Sequence, residues 1–146
     1  VSSPGDDHLP VRVLLRPIGT PLPLGLAGLA IAALVASGLD LGWVPARETA
    51  QVGLVLLAVP TVLQLLASIF SYLSRDGAAG TGFGVLASSW LAQGLIHVAS
   101  PRGLSATLGL LLLIVAGVLW LTAITLVQAK LVPALAVTLA ATHFAL

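Results

Sequence analysis

Residues 17–39, 49–74, 77–101 and 103–129 contain no Asp, Glu, Lys or Arg, and a fifth such run begins at 131. A helix needs roughly 20 apolar residues to cross a ~30 Å hydrocarbon core, and a charge at its centre costs about 3 kcal/mol. Helices in a water-soluble core keep charges on their outer faces, so clearing every face points to lipid all round. The chain therefore reads as an all-α, polytopic transmembrane helical bundle with five helices present.

Composition agrees with that reading. Only 8% of the 146 residues are charged, against about 25% in soluble domains. The absence of cysteine rules out disulfides and thiolate metal sites, and a net charge of +1 without a basic patch excludes a nucleic-acid partner. No metal or cofactor is expected. No G-x-x-x-x-G-K, H-E-x-x-H or G-x-S-x-G pattern occurs, so the chain reads as no enzyme. With no methionine and an apolar final run, it is expected to be a piece of a longer protein.

Residues 1–19 form a polar or interfacial tail and 20–146 the bundle. Helices are expected at about 24–39, 49–72, 80–98, 104–128 and 131–146, with Pro23 in the first turn of the first and Pro60 kinking the second. Arg12, Arg16, Arg75 and Lys130 fall on one side of the alternating topology, and Arg47 and Arg102 on the other. This imbalance places the N-terminus in the cytoplasm of a cell-membrane protein.

Polar residues within the runs are patterned. Thr61, Gln64, Ser68 and Ser71 share a sector of about 80° on the second helix, while Ser89, Gln93 and His97 step by four on the third. Such stripes either line a hydrated path or act as hydrogen-bonding glue between helices. His97, beside Ser100-Pro101, reads as an interfacial hydrogen-bonder, whereas His143 lies deeper. At the proline-delimited start of the first helix, the N–H groups of Gly25 and Leu26 are expected to be open and to favour an anion.

The stretch Thr20-Pro21-Leu22-Pro23-Leu24-Gly25-Leu26 resembles the Asn-Pro-Ala-Pro-Leu-Gly-Leu signature of the acetate uptake transporter family, whose members carry monocarboxylates and succinate. The likeness continues through Gln64 and Tyr72 to Phe83 and Trp90 at matching spacing. It implies six membrane helices, a homo-oligomer (a hexamer) and a pore within each protomer. It also implies a small carboxylate anion as substrate, with Thr20 at the position of the signature Asn near the pore entrance. The family's constriction of two aromatics and a leucine falls here on Leu29, Leu86 and either Leu139 or Ala140, so leucine replaces both aromatics. Gln64, Ser89 and Gln93 are the candidate hydrogen-bonding side chains along the path. The alternatives are a scaffold or sensor that keeps the fold without transport, and a channel for another small solute such as ammonium or ammonia.

Overall fold

A computed structural model describes residues 19–100, 106–127 and 138–142. It is an all-α bundle with no strand among the described residues: α1 (Leu22–Asp40), α2 (Thr49–Ala58), α3 (Pro60–Leu73), α4 (Gly77–Ala99) and α5 (Ala106–Val127). A short 3₁₀ turn, Ala46–Glu48, leads into α2. Together the turn, α2 and α3 make one span, so among the described residues four helical segments are long and apolar enough to cross a bilayer. Large aliphatic side chains on their outer faces remain exposed, among them Leu34, Leu54, Leu65, Leu113, Leu121 and Ile124. Large aliphatic side chains exposed along every span are what a lipid solvent accommodates and water does not. This is a multi-pass membrane protein. The expected tail lies outside the described residues, as does most of the fifth helix, of which 138–142 are helical.

The expected kink falls at Val59-Pro60. Proline has no N–H, so the Leu56 carbonyl loses its helical donor. The Thr61 hydroxyl takes that place, donating to the Leu56 oxygen at 2.8 Å. In this way the sequence pair Pro60-Thr61 breaks a helix in the membrane without leaving a bare carbonyl.

Between α3 and α4 the chain reverses over residues 74–76. Arg75 adopts a left-handed φ of 64°. The Asp76 N–H bonds the Ser71 carbonyl at 2.9 Å and the Arg75 N–H bonds that of Tyr72 at 3.0 Å. These two bonds form a Schellman closure with arginine where glycine is usual. Asp76 then caps the next helix, its Oδ1 accepting from the Ala79 N–H at 3.1 Å. That cap starts α4 at Gly77, earlier than the expected 80.

Helix α4 is the centre of the bundle and packs on α2, α3 and α5, while α1 lies mainly against α3. Small residues set these distances. The buried face of α1 is Gly25, Gly28, Ala32, Ala36 and Gly38. Where α2 crosses α4, Gly53 and Gly94 bring the two backbones together. A Cβ on Gly53 would stand 2.7 Å from the Gly94 oxygen, and one on Gly94 2.8 Å from the Gly53 oxygen. Without a hydrophobic drive between helices in lipid, close backbone packing of this kind holds a bundle together.

Candidate functional site

The polar stripe on α3 faces α1 and α4 and is buried at Thr61, Gln64, Ser68 and Ser71. Two of these four side chains are fully engaged in structure. Thr61 closes the proline break, and Ser68 donates to the Gly80 carbonyl on α4 at 2.7 Å. For Ser68 the glue reading holds, whereas Thr61 bonds within its own span.

Gln64 is different. Its side chain is fully buried, and its amide nitrogen donates to the Gly25 carbonyl on α1 at 3.3 Å. Because a carbonyl can only accept, this bond fixes which end of the amide is nitrogen. The other end, Oε1, has no partner among the described residues. Gln64 lies roughly 14 Å in from Leu73 along the helix axis, and its partner Gly25 is one turn inside the start of α1. Gly28 makes room for its stem, since a Cβ there would stand 2.9 Å from the Gln64 Cγ. The Phe83 ring packs directly on the Cα of Gly25, so that any side chain at position 25 would collide with it.

The start of α1 corrects one expectation. The helix begins at Leu22, and the Gly25 N–H bonds the Pro21 carbonyl at 3.2 Å. Leu26 lies a turn inside the same helix, where its N–H belongs to the ladder. The pair of open donors expected at Gly25 and Leu26 is therefore closed, because the helix starts at Leu22 and not near Leu24 as the prolines suggested. Gly25 instead contributes its carbonyl. Thr20 is exposed, and its Oγ1 faces the Leu22 N–H at the long distance of 3.5 Å.

On α4, Ser89 is buried and its hydroxyl turns back to the Leu86 carbonyl at 2.7 Å. Gln93 is buried, and its amide nitrogen has no partner among the described residues; the same is true of the buried atoms Ser71 Oγ and His97 Nδ1. Of the constriction residues, Leu86 is 1% exposed and Leu29 packs against the same apolar cluster. Leu139 is 70% exposed, whereas Ala140 and Ala141 belong to that cluster. The helix phase over 138–142 thus turns Leu139 outward and Ala140 inward, which corrects the choice of Leu139 for the constriction. His143 lies outside the described residues.

An open cleft of about 280 Å³ lies between α4 and α5, with Gly84, Ser88 and Ser89 on one wall and Leu111, Ile114 and Val115 on the other. Both serine hydroxyls are turned back onto α4 carbonyls, so this cleft is apolar in effect. Of its lining, Ser89 was a candidate from the sequence, but the cleft itself was not legible there because it depends on how α5 packs against α4. Among the described residues no group of His, Asp and Glu could hold a metal ion. No family model, curated protein or solved structure matches this chain.

Proposed function

We propose that the chain forms part of a membrane pathway for a small monocarboxylate of acetate size. The observation that carries this reading is the unpartnered oxygen of Gln64, fully buried inside a span capable of crossing the membrane. A buried polar atom without a partner costs about 1–3 kcal/mol, and in a membrane span it marks a place where a ligand or water is expected. The proline-glycine stretch 20–26 and its resemblance to acetate uptake transporters supply the substrate class. On this reading Gln64 and Gln93 offer hydrogen bonds along the path, Ser89 and Thr20 lie beside it, and Leu29 with Leu86 form a dry constriction that opens by wetting. The working form is a homo-oligomer in the cell membrane, with the N-terminus in the cytoplasm and a path in each protomer.

Purified protein in lipid vesicles should take up labelled acetate and formate faster than protein-free vesicles, and succinate or ammonium more slowly. Uptake no faster than in protein-free vesicles for all four would defeat the proposal.

The second reading is a non-transporting scaffold on the same fold. It is favoured by the tight seat of the Phe83 ring on Gly25, the residue whose carbonyl holds Gln64. Equal acetate uptake with and without protein would be its signature.

A further inference from the structure

The turn that follows α1 carries an exposed indole that the pathway does not use. Gly42 takes a left-handed φ of 72°, which folds the chain back on the helix end. The Leu41 N–H bonds the Ser37 carbonyl at 2.8 Å and the Gly42 N–H that of Leu39 at 3.1 Å. Two residues on, the Val44 N–H bonds the Gly38 carbonyl at 2.9 Å. Val44 packs against the apolar cluster, while Leu41 and Trp43 stay outside, Trp43 with 75% of its surface exposed. Three backbone bonds therefore hold these two apolar side chains out, and their exposure is fixed by the fold.

Trp43 also stands at a defined level. Residues 17–39 carry no charge, and Asp40, Arg47 and Glu48 flank the ring just beyond them, where apolar span gives way to ions. An indole has a broad apolar face and one N–H donor, so it is best placed among lipid headgroups, with its face on the acyl chains. Residues 40–48 hold two acids and one base, and Arg47 stands 3.7 Å from Glu48. An anionic surface would therefore gain nothing from the charge of this turn. We infer that Trp43 is an interface anchor whose partner is the headgroup layer of a zwitterionic phospholipid leaflet, and that it sets how deeply this end of the bundle sits. The exposed aliphatic side chains of the spans continue that lipid-facing surface inward. Tyr72, exposed at the opposite end of the Ala46–Leu73 span and followed by Arg75 and Asp76, marks the other leaflet. The anchor serves a transporter and a scaffold alike.

The test reads tryptophan depth in phosphatidylcholine vesicles whose acyl chains carry bromine, a contact quencher, either near the headgroup or near the chain end. Wild-type protein is compared with Trp43→Phe and Trp120→Phe, and each difference isolates the fluorescence of the ring removed. Both rings are exposed, so neither change opens the core. Trp120, about 10 Å before Val127 along α5, is the deeper reference. The Trp43 signal should be quenched more by shallow bromine than by deep, and the Trp120 signal in the opposite order. Aqueous iodide should quench Trp43 less than it quenches free tryptophan, and adding phosphatidylglycerol should leave both orders unchanged. Full iodide quenching without bromine quenching would put the ring in water and overturn the inference. Protection from both quenchers would put it against protein, and shallow quenching only with phosphatidylglycerol would assign the contact to Arg47; either result overturns it equally.

Discussion

The Thr61 hydroxyl donates to the Leu56 carbonyl at 2.8 Å, replacing the N–H that Pro60 cannot supply. Two neighbours in sequence thus make and repair the same defect, and the repair is measurable. Thr61→Val keeps the shape of the side chain and bares the carbonyl. It should cost about 1 kcal/mol, in the range of hydrogen bonds within membrane bundles. Thermal unfolding in detergent should show a lower midpoint for Thr61→Val and a near-normal one for Thr61→Ser.

The crossing of α2 and α4 makes a sharper prediction. Gly53→Ala or Gly94→Ala places a methyl under 3 Å from the opposite backbone oxygen, and a backbone atom cannot step aside. Each should destabilise by about 1–3 kcal/mol or more, as overpacking does. Gly109→Ala and Gly117→Ala on α5 meet no atom within 4 Å. These should be neutral or stabilise by a few tenths up to about 1 kcal/mol through helix propensity. The same unfolding assay compares all four.

At position 25 the obstacle is a side chain, so the cost should be recoverable. Gly25→Ala should destabilise alone, and much less in combination with Phe83→Ala. A double-mutant cycle should return a coupling above about 0.5 kcal/mol, the level expected of residues in contact. Additive effects would mean that the ring does not rest on the glycine.

Arg75 offers a stabilising change. A non-glycine residue in the left-handed region carries strain of about 1 kcal/mol, and Arg75 has φ 64° at the closing position of α3. Arg75→Gly should raise the unfolding midpoint by a few degrees, whereas Arg75→Val should lower it.

The absence of native cysteine makes topology testable by single-cysteine labelling. Leu41→Cys and Ser74→Cys lie at opposite ends of the Ala46–Leu73 span. A membrane-impermeant maleimide added to whole cells should label the first and spare the second. The reverse pattern would invert the proposed orientation, and labelling of both from outside would contradict a crossing between them.

Much of this architecture could be read from charge placement alone. Lipid excludes ions so strongly that Asp40, Arg75 and Asp76 mark span ends directly, and the break at Pro60 follows from a missing N–H. Helix starts were less legible, since caps depend on local geometry. Asp76 draws α4 back to Gly77, and Pro21 draws α1 back to Leu22. The polar stripe was visible as a spacing of Thr61, Gln64, Ser68 and Ser71, but its division was not. Whether a buried hydroxyl finds a carbonyl depends on interhelical distances of a few ångströms. Those distances are set by glycines whose partners lie far along the chain, such as Gly80 for Ser68. Leu139 shows the same limit, because choosing between two adjacent residues requires a helix phase that the apolar sequence around it does not encode.

The reversal at 74–76 has one more implication. Both of its ends are pinned by hydrogen bonds that share the same few residues, so α3 and α4 have no slack with which to slide past one another. Any breathing of the bundle must then be taken up at other joints, such as the one before Pro60. The α3–α4 pair is thus the most closely joined part of the bundle.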